Sequence, residues 1–333
     1  MPKALFILIF TLSSCFLRAQ VLPSFGDSRT ATTGMQFLKI PVDARGIALA
    51  GAVCATVADP SAMYWNPAGI THVDTGKFVF QLAHTRYFAN TKMNYAAGVF
   101  KSGSQSFVGI QVQSMDYGEM METTEFQPTG TGRTFTMSNY LIGATFARVL
   151  TESFSIGLTG KLAHEGIPNV ALNNVMFDLG FQYAVGVRNT RFSVTMSNFG
   201  FSVKPKGEIQ LLDFSTATTP KNSFESVSVP AIFRLGICTD VWRKNQHAIT
   251  SAVQLNHPTD NNETIALGAE YTYKSFLFLR TGYELGQDVQ SSPSAGFGFK
   301  LRRRFGGIGF DYGFVQKNTL GSIHRLTLQV ILK

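Results

Sequence analysis

From Gly76 to the C-terminus the chain alternates apolar and polar residues with period two, in one segment after another. In the last segment Leu326, Leu328, Val330 and Leu332 alternate with Arg325, Thr327 and Gln329. Successive side chains of a strand point to opposite faces, so one face here is aliphatic and the other suits water. Ile308, Phe310, Tyr312 and Phe314 oppose Gly307, Gly309, Asp311 and Gly313 in the same way. Further upstream Phe177, Leu179, Phe181, Tyr183 and Val185 oppose Asp178, Gly180, Gln182 and Ala184. A β-sandwich alternates too, but its interior is apolar, and a face of Gly, Ser, Thr, Gln and charges cannot line it. Each apolar face runs about 9–11 residues, the span a tilted strand needs to cross hydrocarbon.

About fourteen such segments fit between 77 and 332, the even number expected of an outer-membrane barrel. With the first strand rising from the periplasm, the connections 101–105, 150–152, 188–190, 241–246, 274–275 and 303–305 fall on one side, and all are short. The long connections, 118–134 and 204–227, fall on the other. Short turns below and long loops above are the barrel rule, and closure removes the unpaired edges that lipid would not tolerate. The expected fold is all-β: a closed transmembrane antiparallel β-barrel with an N-terminal plug or hatch inside it.

Composition agrees. Charged residues make up 15% of the chain, beside 29 Phe and 31 Gly, whereas a soluble domain carries roughly a quarter charged residues. Lys3 followed by the apolar run Ala4–Leu12 reads as a secretory signal peptide over 1–19, with Leu12-Ser13-Ser14-Cys15 as an alternative lipoprotein box. No later stretch reaches eighteen consecutive apolar residues, so no spanning helix is expected. The formal charge of +8 is spread along the chain and not gathered into one patch; small clusters stand at Arg188/Arg191, Arg243-Lys244 and Arg302-Arg303-Arg304, with no aromatic stacking motif beside them. That suits basic turns beside anionic headgroups, and no nucleic-acid partner is expected. Losing Cys15 with the signal leaves Cys54 and Cys238, which an oxidising compartment would allow to pair.

The region 20–75 differs from the barrel, 76–333. Arg45–Ala58 reads as a small-residue helix stopped by Asp59-Pro60, followed by a compact turn at Tyr64–Gly69. Within that turn Asn66 would cap, Pro67 would fix its own φ, and Gly69 would permit positive φ. A region this short cannot hold its own core, so it is placed in the barrel mouth. Gly34–Ile40, Asp43-Ala44-Arg45, Ala48–Ala52 and Asp59-Pro60-Ser61-Ala62-Met63-Tyr64-Trp65-Asn66-Pro67-Ala68-Gly69 resemble the N-terminal signature of the PorV/PorQ family. That family of Bacteroidetes-type outer-membrane proteins is similar in fold to the FadL fatty-acid channels. The resemblance implies a fourteen-strand barrel with a hatch. It also implies a role in or near type IX secretion, where PorV-like members receive secreted cargo and deliver it for surface attachment.

By alternation Lys161, Glu165, Asp178, Arg234, Glu270, Arg280, Glu284, Lys300, Arg302, Asp311 and Arg325 face the lumen, as does Cys238. Mixed charge in a lumen forms a self-satisfying network that braces a plug, and Asp43 and Arg45 are the plug residues placed to join it. A disulfide from Cys54 to Cys238 is a further hypothesis. The six His residues show no metal spacing, and no nucleophile elbow or phosphate loop is present, so no enzyme, metal or cofactor is expected. Tyr117, Met120 and Met121 in one long loop, and Leu211, Leu212, Phe214 and Phe224 in the other, are candidate contacts for protein partners. Two functions follow. In the first, a non-enzymatic barrel contacts membrane lipid and binds secretion-system proteins or secreted cargo. In the alternative, a FadL-like passive channel for hydrophobic small molecules holds lipid or fatty acid in its lumen, with Phe276 and Phe278 as candidate linings.

Overall fold

The structure is a computed structural model that describes residues 30, 32–73, 78–212, 218–287, 292–304, 306–318 and 320–332, with the backbone alone for 210–212 and 218–221. The expected signal peptide, 1–19, and Phe214 lie outside the described residues. Fourteen strands form the wall: β1 Phe78–Arg86, β2 Lys92–Lys101, β3 Ser106–Asp116, β4 Ser138–Val149, β5 Phe154–Ile167, β6 Val170–Ala184, β7 Arg191–Gly200, β8 Ile232–Lys244, β9 His247–Pro258, β10 Thr264–Tyr273, β11 Leu277–Leu285, β12 Ser294–Arg303, β13 Gly306–Lys317 and β14 Gly321–Leu332. Each pairs antiparallel with its sequence neighbours, and β1 pairs with β14 from Phe78↔Leu332 to Arg86↔His324, which closes the ring.

The two faces are inverted relative to a soluble protein. Leu82, Ile110, Ile142, Leu162 and Ile308 are exposed on the outside, while Gln81, Gln111, Thr145, Thr159 and Gln254 are buried within. An apolar belt that continuous exceeds what a soluble monomer carries, and it suits hydrocarbon. No described helix is long and apolar enough to cross a membrane. The long connections, 117–137 and 201–231, share the loop end of the barrel, as the strand parity predicts. They carry short hairpins of their own, Met120–Met121 with Thr134–Phe135 and Ile209–Leu212 with Thr218–Lys221.

Residues 33–73 lie against the inner face of this wall. Their helices are short: α1 Ala44–Ala48, α2 Ala62–Trp65, and 3-10 turns at Gln36–Lys39 and Pro67–His72. The long helix expected over 45–58 is not formed. Ala50 and Gly51 take positive φ of 53° and 87°, and Gly51 N–H bonds back to Gly46 O at 2.9 Å, ending α1. The backbone there rests on the wall: a Cβ on Gly282 would come within 2.4 Å of Leu49 C and 2.6 Å of Ala50 N. The Ala and Gly content therefore serves close approach to the barrel, not helix propensity. Gly69 is a related correction. Its φ is not positive; a Cβ there would meet Val57 Cγ1 at 2.7 Å.

One strand departs from regular pairing. At the loop end of β7 the register against β6 shifts between Phe177 and Leu179, and Asn198 takes φ 57°. A lumen triad holds this bulge: Asp178 Oδ1 accepts from Asn198 N–H at 2.7 Å, Lys161 Nζ pairs with Asp178 Oδ2 at 2.5 Å, and Lys161 donates to Asn198 Oδ1 at 3.0 Å. The β7–β8 ladder runs from Arg191↔Cys238 to Ser197↔Ile232 and stops there, resuming only as the Val203↔Val227 bridge. Beside the gap Thr33 forms a parallel bridge to Ser228, and Gly34 N–H bonds to Ser228 O at 3.0 Å. The inner segment thus contributes backbone to the wall.

Gly157 on β5 would place a Cβ 2.3 Å from Pro67 C, whereas Gly160 on the same strand faces open space. Gly157→Ala is expected to cost about 1–3 kcal/mol through overpacking. Gly160→Ala should stay within about 0.5 kcal/mol. Thermal midpoints of the detergent-folded barrel, followed by heat-modifiable gel mobility, will measure the contrast.

Candidate functional site

The local chemistry of residues 43–73 seats this segment. Asp43 caps α1, its Oδ2 accepting from Gly46 N–H at 2.7 Å, while its Oδ1 accepts from Trp65 Nε1 at 2.7 Å. Burial and the Asp59 charge push its carboxyl above the usual range, against the pull of the Trp65 and Gly46 hydrogen bonds and the Arg325 charge. Asp59 closes its own turn by accepting from Ser61 N–H at 2.9 Å, beside Pro60. Asn66 Oδ1 accepts from Ala68 N–H at 3.1 Å, and its Nδ2 donates to Cys54 O at 3.0 Å and to Phe181 O on β6 at 3.2 Å. Pro67 follows as the first residue of its 3-10 turn, where its fixed φ fits and no N–H is needed.

A chain of charges joins the segment to the wall. Arg45 Nε meets Glu270 Oε2 at 3.0 Å, and Arg280 Nε meets the same oxygen at 2.6 Å. Arg280 Nη1 also pairs with Asp311. Burial works against the Arg45 charge, but Glu270 beside it more than compensates and holds the guanidinium above its ordinary pKa. A second anchor is Asp260 in the β9–β10 loop, whose Oδ2 takes Thr33 Oγ1 at 2.5 Å, Gln36 Nε2 at 2.8 Å and Lys39 Nζ at 3.0 Å. Burial pushes the Asp260 carboxyl up. Those three donors and the Lys39 charge outweigh burial and hold it below its ordinary value of 3.8.

On the loop side of the segment lies a cavity of about 630 Å³, within the range of small-ligand pockets. Phe37, Ile40, Ile47, Val315 and Ile323 supply apolar lining, and Lys39, Arg234, Glu284 and Arg325 supply charge. Arg234 stands 5.6 and 5.5 Å from the ring centroids of Tyr64 and Trp65, with Nη1 donating to Ser197 Oγ at 2.7 Å. Glu284 accepts from Thr264 Oγ1 at 2.7 Å. Arg325 differs from these neighbours. Its Nε donates to Thr85 Oγ1 at 2.5 Å, but Nη1 and Nη2 have no acceptor among the described residues, although the residue is 0% exposed. A buried guanidinium edge without acceptors is costly and invites an anion.

Lys161 and Asp178 lie apart from this cavity, in the bulge triad. Phe278 faces the lumen beneath Arg280, but Phe276 packs on outward-facing Phe299 and is not a lining residue. Cys54 and Cys238 are both free and buried: Cys54 Sγ accepts from Ser193 Oγ at 3.0 Å, and Cys238 Sγ points to Ala55 O at 3.4 Å. The hypothesised bridge is not formed. Tyr117 turns inward, lines the cavity and accepts from Asn139 Nδ2 at 2.8 Å. Met120 pairs with Phe135 and Phe224 is half-buried, while Met121 is 58% exposed. The side chains of Leu211 and Leu212 lie outside the described residues. Asp260 and Asn198 escape a reading by alternation, since one sits in a loop and the other where the alternation breaks. Among the described residues no cluster of His, Cys, Asp and Glu could hold a metal.

No family model matches the chain, and no curated protein matches it. Solved structures do. A Pseudomonas aeruginosa FadL homologue aligns with TM-score 0.59 at 12% identity, over 87% of this chain and 98% of that one. The CymD monoaromatic hydrocarbon channel aligns with TM-score 0.57 at 14% identity, over 87% and 96%. The Ralstonia pickettii toluene transporter TbuX aligns with TM-score 0.57 at 14% identity, over 88% and 98%. At these identities the likeness is one of fold, and that fold is a closed fourteen-strand barrel of the FadL type.

Glu270→Gln leaves Arg45 and Arg280 without their shared counter-charge and should destabilise the barrel by about 3 kcal/mol, read as a lowered midpoint of denaturant unfolding. Asp260 titrates lower in the fold than in the unfolded chain, so its contribution is full above pH 3.8 and is lost as pH falls through the folded value. Protease cleavage near residues 30–40 should therefore rise below that pH, and Asp260→Asn should show the raised cleavage already at neutral pH.

Proposed function

We propose that this chain is a non-enzymatic outer-membrane barrel that binds a small hydrophobic molecule with an anionic end and passes it across the membrane, with residues 33–73 as the plug. Arg325 carries this reading: two Nη atoms without an acceptor among the described residues, fully buried, beside a cavity to which Phe37, Ile47, Val315 and Ile323 lend apolar wall. A charged group paired there replaces the missing acceptors, and the apolar walls take the body of the ligand. That the like-folded CymD is a monoaromatic hydrocarbon channel and TbuX a toluene transporter supports the hydrophobic body. The anionic end is argued from this chain alone. The outward apolar belt and the fold of the neighbours support the outer membrane as its location.

A second reading follows from the PorV/PorQ-like signature: a partner- or cargo-binding component of type IX secretion. Exposed Met121 and Phe126 on the 117–137 loop are the surface it would use. CymD and TbuX, of like fold, are a channel and a transporter, so this reading stands second.

Binding of a long-chain carboxylate and of the matching uncharged hydrocarbon to the purified barrel tests the first reading. The carboxylate is expected to bind tighter. Arg325→Gln should weaken it by roughly tenfold or more, as loss of a charged hydrogen bond does, and leave the hydrocarbon unchanged. Equal binding of both probes would remove the anionic end. Binding of neither, with secretion proteins co-purifying in mild detergent, would favour the second reading.

A further inference from the structure

One edge of the short-turn rim is basic. Four successive short turns, β6–β7, β8–β9, β10–β11 and β12–β13, carry Arg188, Arg243, Lys244, Lys274, Arg303 and Arg304, and no acidic residue lies in 185–190, 241–246, 274–276 or 302–305. At the loop end the 117–137 connection carries Glu119, Glu122 and Glu125 against Arg133, and the β9–β10 loop carries Asp260 and Glu263 with no basic residue of its own. The fold thus brings residues far apart in sequence to one edge of one rim.

That edge contains a formed recess. The β8–β9 register shifts between Asp240 and Trp242, and after the shift Trp242 pairs with outward-facing Ile249. The bulge so places Val241 and Trp242 together on the outer surface, 50% and 44% exposed, at the end of the apolar belt. Trp242 lies 6.2 Å from the ring of His247, which in turn lies 4.8 Å from Tyr273, an aromatic patch at the level where lipid gives way to water. Beside it a recess of about 420 Å³ is lined by Arg188, Asn189, Asp240, Val241, Trp242 and Arg243. Asp240 is buried and holds Arg243 through Nε at 2.9 Å and Nη2 at 2.5 Å; its N–H donates to Arg188 O at 2.9 Å. It offsets one positive charge. Arg188 in the recess has no acidic partner among the described residues, so the recess stays net positive, and Lys244 on the adjoining turn has none either.

We infer that this recess, with the basic turns on either side, binds the phosphate of an anionic phospholipid in the leaflet at the short-turn end. The guanidinium groups of Arg188 and Arg243 meet the phosphate, and Val241 and Trp242 lie along the acyl chains and glycerol. The adjoining apolar belt argues for a lipid occupant: a soluble anion would gain nothing from Val241 and Trp242. The site is separate from the lumen cavity and acts on the seating of the barrel in its membrane.

The test uses the full barrel, purified in detergent and equilibrated with phosphatidylglycerol or phosphatidylcholine, with lipid retention read by native mass spectrometry. Each basic residue beside an anionic surface is worth roughly fivefold in partitioning. The wild type is expected to retain phosphatidylglycerol preferentially, and the Arg188→Gln/Lys244→Gln double variant to lose most of that preference, by about an order of magnitude or more. Trp242→Ala should weaken retention of both lipids. Unchanged gel mobility and unchanged carboxylate binding in the lumen will show that the barrel is intact. Equal retention of the two lipids by the wild type, or an unchanged preference in the double variant, would overturn the inference. So would displacement of phosphatidylglycerol by millimolar inorganic phosphate, which would make the recess a site for free anions.

Discussion

Hydrocarbon offers no partner to a peptide group, so a sheet in a membrane must leave no edge unpaired. The pairing of β1 with β14 meets that condition, and the rest of the structure depends on it. Once the ring is shut, alternation along each strand sorts every side chain to lipid or lumen, and the polar set becomes an interior wall. Gln81, Gln111, Gln113 and Gln254 are buried because they face a chain segment instead of water. Three of them bond to it: Gln111 Nε2 donates to Met63 O, Gln113 Nε2 to Phe37 O, and Gln254 Oε1 accepts from Val53 and Cys54 N–H. The lumen is a solvent made of side chains, and it satisfies a segment too short to satisfy itself.

Two devices let the segment lie so close. Glycines in the wall remove the Cβ atoms its backbone would strike, as at Gly157, Gly282 and Gly313. Charges then hold what sterics permit, with Glu270 shared between Arg45 of the segment and Arg280 of the wall. Such an arrangement adds little net stability over a well-packed apolar contact, because desolvation consumes most of the Coulomb gain. Its value is register: a guanidinium that misses its carboxylate is penalised heavily, so only one docking is acceptable. Arg325 departs from that rule within the described residues: its Nη atoms are buried with no acceptor, at the wall of the cavity.

The wall was legible in the sequence because period two carries its own meaning. Burial, strand direction and parity of the turns all follow from it, and the short and long connections fell on the ends that parity assigns. The inner segment was legible only in part. Its Ala and Gly residues read as helix former and helix breaker, yet Ala50 and Gly51 answer to the surface beneath them, Gly282, which lies more than two hundred residues away in the chain. Asn198 reads as an ordinary strand residue until Asp178 is seen opposite, accepting its N–H. The cysteines fall on facing elements, as alternation places them, but Cys54 sits over Gly236 and turns to Ser193 instead of Cys238. What a pattern in one strand cannot contain is the identity of what faces it.

The seat of the inner segment also sets an order in time. Ala44 N–H bonds to Thr327 Oγ1, and α1 packs chiefly on β12 and β13. The portion of the chain synthesised first therefore has its destination in the portion synthesised last. It must wait, unsettled, until the final strands exist, and contacts of such sequence separation form slowly. Until those strands form, nothing in the chain itself holds that early stretch to one conformation.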